Sequence, residues 1–242
     1  MTMPRLIKSL QSLVKKVIKH WQIEGLWKTF RVIVHVFYIR VFYTHGVEPF
    51  YDWCWGIQTR GITTSEQLGL TDPQCIRYQP VSYGDFKRVM KHVKVRAGED
   101  VFVDYGSGKG RVLIMAARYP FRKVIGVELS AELNVIAQAN LERTRKKLKC
   151  NNIEIITSDA RQYSLPTDVT FIHMFNPFVG EVLVQVLQRV HDSLLAAPRK
   201  ITLLYTHPVN FEPIAPQFPW IVKQGEVICY RVSKCAIYEC MV

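Results

Sequence analysis

Apolar runs alternate with amphipathic stretches along residues 101–240. The runs predicted as strands lie at 101–104, 124–127, 153–156, 169–174 and 201–205, and the helical spacing of apolar residues falls near 110–118, 130–148 and 179–195. Strands that alternate with helices predict an α/β fold with a doubly wound, mostly parallel sheet. Two more β-rich runs, at 227–232 and 236–240, predict a closing antiparallel pair and seven strands in all.

The N-terminal part of the chain has a different pattern. Residues 6–21 place apolar side chains at helical spacing and lysines on the other faces, which predicts a basic amphipathic helix. A second apolar segment, 26–43, is interrupted by charged residues, and its longest run without Lys or Arg, 32–39, is far shorter than the ~20 residues of a membrane-spanning helix. We therefore expect a helical extension over 1–45, which either covers the folded domain or lies on an anionic membrane surface.

Between these parts, Gly, Pro and Thr recur through residues 46–77. This composition predicts a loop-rich connector with a short helix near 65–70. A further helix is expected over 85–92. We interpret 78–242 as the main folded domain.

Composition favours a folded protein, because 48% of the residues are apolar and 12% aromatic. The six cysteines form no C-x-x-C pair and no metal-ligand spacing with histidine, which indicates reduced thiols in a cytoplasmic protein and no bound metal. The net charge is +12, of which the extension carries +7. A basic run at 143–149 has two interpretations, a solvated helix end and a nucleic-acid patch.

A glycine-rich turn follows the first predicted strand. The segment is Asp104-Tyr105-Gly106-Ser107-Gly108-Lys109-Gly110, and a second acid, Glu128, ends the next apolar run. Strand, glycine turn, helix, strand and acid are the layout of a mononucleotide-binding βαβ unit, in which the acid holds a ribose diol. A carboxylate two residues before the first glycine would repel a pyrophosphate, whereas it suits a ligand that carries an ammonium and a sulfonium.

Residues 101–110 together with 124–130 resemble the class I methyltransferases, which use S-adenosylmethionine as the methyl donor. The resemblance covers roughly residues 78–242. It implies Asp104 near the methionine amino group, the glycine turn under the methionine and ribose, Glu128 on the ribose hydroxyls and Asp159 with Ala160 at the adenine. The implied cofactor-binding residues are Tyr78, Asp104, Tyr105, Gly106, Ser107, Gly108, Gly110, Glu128, Leu129, Asp159, Ala160 and Asn176.

Two further segments resemble acceptor-side motifs. Asn176-Pro177-Phe178 is similar to the D/N-P-P-F/Y motif of enzymes that methylate amide or amino nitrogens, although one proline is absent here. The segment 78–83 is similar to an element of seven-stranded protein-lysine methyltransferases, and it adds Tyr83 to the catalytic candidates Asn176, Pro177 and Phe178. His207, which follows the fifth strand, is a candidate base.

The sequence thus predicts a methyltransferase acting on an unidentified acceptor, a nitrogen of a protein or small molecule being favoured over nucleic acid. Two alternatives stay open at this point: a nicotinamide-dependent oxidoreductase, and a non-catalytic cofactor-binding module at a membrane. We expect a cytoplasmic protein, with residues 1–45 as the candidate for peripheral membrane contact.

Overall fold

The computed structural model describes Gly25, Trp27, Phe30, Val34 and the residues 46–69, 72–229 and 234–242. Contacts divide the chain into two compact units, Met1–Phe50 and Tyr51–Val242. In the first unit, the exposed rings of Trp27 and Phe30 stack with their centroids 5.9 Å apart. The predicted basic helix over 6–21 and most of the segment 26–43 lie outside the described residues.

One seven-stranded sheet organises the second unit, with the strand order β3-β2-β1-β4-β5-β7-β6. β1 to β5 pair in parallel, and β7 runs antiparallel to both β5 and β6. This is the predicted mostly parallel sheet with its antiparallel pair. The strands are β1 (Val101–Tyr105), β2 (Lys123–Glu128), β3 (Ile153–Thr157), β4 (Phe171–Phe175), β5 (Ile201–Thr206), β6 (Ile221–Ile228) and β7 (Lys234–Cys240).

The helices of the described residues flank this sheet. They are α1 (Glu48–Trp55), α2 (Tyr83–Val89), α3 (Arg111–Ala116), α4 (Ala131–Thr144) and α5 (Gly180–Ala196), with short 3-10 turns at Glu66–Leu68, Arg145–Lys147 and Ala215–Gln217. Serine side chains cap two of them: Ser82 accepts from Asp85 N in α2, and Ser130 accepts from Leu133 N in α4.

Several boundaries differ from the sequence prediction by a few residues, and two differences are larger. The sixth strand begins at Ile221, six residues before the predicted run, because β6 is an edge strand whose middle is exposed and polar and is broken by a register shift between Lys223 and Gly225. The connector also contains the helix α1, since Asp52 on it is buried and accepts hydrogen bonds from Thr59.

Two hydrophobic clusters cover the two faces of the sheet. Val103 and Tyr105 of β1 belong to one cluster with α5, whereas Phe102 belongs to the other with α2 and α3. Successive side chains of a strand point to opposite faces. Alternate side chains of β1 therefore pack against α5 on one face of the sheet and against α2 and α3 on the other.

Candidate functional site

A tight glycine turn leaves the carboxyl end of β1. Gly106, Gly108 and Gly110 have φ of +73°, +54° and +79°. A Cβ built on Gly106 would lie 2.8 Å from Pro177 Cβ, and one on Gly108 would lie 2.2 Å from Tyr78 Cε2. Both the backbone conformation and the space therefore require glycine at these two positions.

Glu128, at the end of β2, holds this turn in place. Gly108 N donates to Glu128 Oε2 at 2.9 Å, and Ser130 N donates to Oε1 at 2.9 Å. Burial raises the pKa of Glu128, and the two backbone N–H groups act in the opposite direction. Each oxygen keeps a second lone pair, so the carboxylate can still accept a hydrogen bond from a ligand hydroxyl.

A cavity of about 90 Å³ opens beside Glu128. Its wall is formed by the ends of β2, β3 and β4 and by residues 75–79. The predicted site residues in this wall are Tyr78, Gly106, Glu128, Leu129, Asp159, Ala160, Pro177 and Phe178. The strand ends thus bring half of the predicted cofactor residues together at one place, as an open α/β sheet does with its ligand.

Residues 72–79, which we call the strap, run across the loop after β4. Val179 N donates to Gln74 O and Ile76 N donates to Pro177 O, both at 3.0 Å. Tyr78 lies against Gly108, and its hydroxyl donates to Thr59 O at 2.7 Å. The strap therefore forms one wall of the cavity and covers the glycine turn.

Asp159 meets a cation that the sequence reasoning missed. Arg161 Nη2 lies 2.6 Å from Asp159 Oδ2, and Arg161 Nη1 lies 3.2 Å from Asp72 Oδ2 on the strap. The hydrogen bonds from Arg161 hold the pKa of Asp159 below its usual range. An Asp followed two residues later by Arg is a local signal for this pair, but nothing in the sequence points to Asp72.

Asp104 does not share this cavity, which corrects the expectation that three carboxylates converge there. It lies on the face of β1 that carries Phe102, and its Oδ1 is 2.7 Å from His173 Nδ1. His173 Nε2 lies 3.2 Å from Thr206 Oγ1. Burial raises the pKa of Asp104, against the opposite effect of His173.

Other predicted cofactor residues stand behind the wall rather than in it. Tyr105 is fully buried and packs edge-on against Tyr163 and Phe178. Ser107 is buried, and its Oγ makes no hydrogen bond to any described residue. Gly108 and Gly110 lie under Tyr78 and Ala137. These residues shape the turn without lining the cavity.

Tyr83 lies in a different buried network. Its hydroxyl donates to Asp52 Oδ1 at 2.6 Å, and the guanidinium of Arg111 lies 4.3 Å from the centre of its ring. Arg111 also donates to Thr59 Oγ1 at 2.7 Å and to Val81 O at 2.9 Å. Tyr83 is absent from the lining of the cavity, because this network points it at α1 and the start of α3.

The Asn-Pro-Phe segment is already hydrogen-bonded. Asn176 Oδ1 accepts from Asn210 Nδ2 at 3.1 Å, and the Pro177 carbonyl accepts from Ile76. Phe178 is 6% exposed and belongs to the core, so little of its ring is open for an acceptor to stack on. Asn176 lies outside the cavity lining, although Pro177 and Phe178 are part of it.

Asn176 and His207 occupy equivalent places on neighbouring strands. Phe175 of β4 pairs with Thr206 of β5, so the residue after each lies at the same level. Both have positive φ, 42° and 57°, and they are the non-glycine residues with positive φ in the described chain. His207 Nδ1 is buried without a hydrogen-bond partner among the described residues. Backbone strain of this kind clusters at functional sites.

Residues 102–196 match a family model described as a methyltransferase domain. A search of the curated proteins found no match. Among solved structures, the chain is similar to geranyl diphosphate C-methyltransferase from Streptomyces coelicolor A3(2), with 14% identity, 78% of this chain and 92% of that chain covered, and a TM-score of 0.51.

Two more solved structures resemble the chain. An RNA methyltransferase from Salinibacter ruber has 16% identity, coverage of 68% of this chain and 94% of that chain, and a TM-score of 0.47. A SAM-dependent methyltransferase from Aquifex aeolicus has 18% identity, coverage of 65% of this chain and 90% of that chain, and a TM-score of 0.48.

None of the helices in the described residues is long and apolar enough to cross a membrane. Residues 102–196 are similar to a methyltransferase domain, and the likeness to the Streptomyces coelicolor structure is one of fold.

Proposed function

We propose that this protein binds S-adenosylmethionine in the cavity beside Glu128 and transfers its methyl group to a nitrogen of a protein or small molecule. The observation that carries the proposal is the convergence of Glu128, the glycine turn and Asp159 on one cavity at the carboxyl ends of β1 to β3. A ligand that carries ribose hydroxyls and an adenine amino group, which are hydrogen-bond donors, suits two carboxylates so placed.

The lining fits the parts of this cofactor. Glu128 has lone pairs for the ribose hydroxyls, and Leu129 and Ala160 offer apolar sides to an adenine. Asp159 lies at the same wall as Ala160. When Asp159 accepts a hydrogen bond from the adenine amino group, Arg161 keeps Asp72 as a second carboxylate partner.

Bound in this way, the cofactor supplies a methyl group that its sulfonium has made electrophilic. The chain then has to orient the acceptor and accept a proton where one must leave. Asn176 and His207 lie at the ends of β4 and β5. We assign the role of proton acceptor to His207, whose Nδ1 is buried without a hydrogen-bond partner among the described residues.

A nitrogen acceptor is supported by the amide of Asn176, whose oxygen already accepts an N–H from Asn210. An acceptor amino group could take the place of Asn210 at this oxygen without a change in the loop backbone. Because Phe178 is packed in the core, we assign recognition of the acceptor to polar groups rather than to stacking.

Cofactor binding is tested by isothermal titration of the full chain with S-adenosylhomocysteine. We expect saturable binding, a loss of at least about tenfold in affinity for Glu128→Gln, and no change for Glu132→Gln, an exposed glutamate four residues later that serves as the matched control. Absence of binding, or equal effects of the two substitutions, would refute the cofactor site.

Methyl transfer is tested separately. The purified protein and labelled S-adenosylmethionine are incubated with extract, and the labelled product is identified. His207→Gln should lower the rate without weakening the binding of S-adenosylhomocysteine. A product methylated on carbon or oxygen would overturn the nitrogen acceptor and leave the cofactor site standing.

A further inference from the structure

A second cavity lies on the other side of the sheet, and the methyltransferase site does not use it. Its volume is about 350 Å³, and none of its lining residues belongs to the cavity beside Glu128. It is lined by Phe86 of α2 and Met115 of α3, which belong to the hydrophobic cluster opposite the α5 side. Because α3 starts at the glycine turn and runs away from it, the residues after α3 lie away from the carboxyl ends of the strands.

Four cations and no carboxylate line this cavity. Lys87 comes from α2, Arg118 follows α3, and Lys147 and Lys149 follow α4. None of the four forms an ion pair with a carboxylate among the described residues, and all four are exposed. Some surface cations elsewhere in the unit are paired, for example Lys123 with Glu154 at 2.6 Å and Arg122 with Asp168 at 2.6 Å.

Local contacts hold two of these cations, Arg118 and Lys147, and the backbone of Lys149. The Arg118 guanidinium lies 4.9 Å and Lys147 Nζ 5.3 Å from the centre of the Trp55 ring, which are cation–π distances. Lys147 Nζ also donates to Cys54 O at 3.1 Å. Lys149 N and Cys150 N both donate to Ala117 O at 2.9 Å, which fastens the turn after α4 to the end of α3.

The arrangement suits a compact anion rather than a stretch of bases. Like charges gathered around one cavity repel each other, and an anion in the cavity relieves that repulsion. The aromatic rings are already engaged: Trp55 meets two cations, and Tyr51 stacks on Tyr83 with centroids 4.8 Å apart. A stacking platform for nucleic acid would need rings open to bases.

We propose that this cavity is a binding site for a ligand that carries at least two phosphate groups. The phosphates lie among the four cations of the lining. Such a ligand is either a soluble diphosphate or the phosphorylated headgroup of a lipid, since both present the same oxygens to these cations. The site is independent of the proposed methyl transfer.

The test titrates the full chain with inorganic pyrophosphate by calorimetry. Saturable binding is expected, with affinity lowered about tenfold by Lys149→Gln, as for the loss of one charge-assisted hydrogen bond. Lys146→Gln is the matched control: this lysine is exposed, lies three residues before Lys149 and does not line the cavity, and its loss should leave binding within about twofold. Circular dichroism of both variants establishes that they fold.

Further arms identify the source of the phosphates. If vesicles that contain a phosphorylated inositol lipid bind and pyrophosphate competes for the protein, the ligand is a lipid headgroup; if only pyrophosphate binds, it is a soluble diphosphate. Either result supports the site. Three results would overturn it: no saturable pyrophosphate binding, an equal loss in Lys146→Gln and Lys149→Gln, or binding of a single-stranded oligonucleotide that pyrophosphate does not displace.

Discussion

Gly108 is the position at which a single methyl group should do the most damage to the glycine turn. Alanine at φ +54° carries the left-handed backbone penalty of about 1–2 kcal/mol. Its Cβ would also fall 2.2 Å from Tyr78 Cε2, so the ring must move and its hydroxyl loses the hydrogen bond to Thr59, a further ~1 kcal/mol. With the packing of the displaced ring included, Gly108→Ala should lower the free energy of unfolding by roughly 3–4 kcal/mol.

Urea unfolding measures this loss, and two comparisons isolate its cause. Gly98→Ala, at φ +73° with nothing within 4 Å of the new Cβ, should lose only the backbone part, about 1–2 kcal/mol. In a Tyr78→Ala background, the loss of free energy of unfolding caused by Gly108→Ala should fall to that same value, because the ring that the new methyl group would contact is absent. Equal losses in Gly98→Ala and Gly108→Ala, or strict additivity with Tyr78→Ala, would refute the reasoning.

Three further predictions concern the cavity and its walls. Asp104→Asn should leave the affinity for S-adenosylhomocysteine, measured by calorimetry, within about threefold of that of the unsubstituted protein, because Asp104 faces His173 and not the cavity. A loss as large as that of Glu128→Gln would place Asp104 back in the site. Arg161 lowers the pKa of Asp159 in the folded state, so this pair stabilises the fold above the unfolded pKa of about 3.9. The stabilisation is lost as pH falls through the folded pKa. The free energy of unfolding of Arg161→Gln should therefore decline less below about pH 4 than that of the unsubstituted protein, as measured by acid unfolding. The cavity of about 90 Å³ is smaller than the roughly 300 Å³ usual for small-molecule sites, and the strap forms one of its walls, so we expect the strap to move when the cofactor enters. Hydrogen exchange at the amides of Ile76 and Tyr78 should then change on addition of S-adenosylhomocysteine, and unchanged exchange would contradict a moving strap.

The sheet and much of its cavity follow from local sequence pattern. Buried parallel strands are continuous apolar runs, so the positions of β1 to β5 could be predicted, and with them the residues that follow each strand. Gly106, Glu128 and Asp159 meet because their strands are neighbours in the sheet. The family match counts against the nicotinamide alternative, in agreement with the carboxylate two residues before the first glycine of the turn.

The predictions that failed depend on information that the local pattern does not contain. A strand buried on both faces is apolar throughout, so its pattern does not reveal the face on which Asp104 points. Tyr83 was assigned to the site from a motif, yet its position depends on Asp52, thirty-one residues away. The pairing of the strap with Pro177 likewise joins segments about a hundred residues apart, which no local spacing encodes.

The glycine turn gives Glu128 a structural role beside its proposed role in binding the cofactor. Glycines lose more conformational freedom on folding than other residues, so a turn built on three of them needs fixed partners. Gly106 N is held by Val127 O at 2.8 Å, and Gly108 N by Glu128 Oε2 at 2.9 Å. Glutamine at position 128 keeps one acceptor oxygen and can serve only one of Gly108 N and Ser130 N fully, whereas alanine serves neither. If Glu128 acts on the cofactor chiefly by holding the turn, Glu128→Ala should lower both stability and affinity well beyond Glu128→Gln. If Glu128 acts chiefly through hydrogen bonds to the ribose, both variants should lose similar affinity and differ mainly in stability.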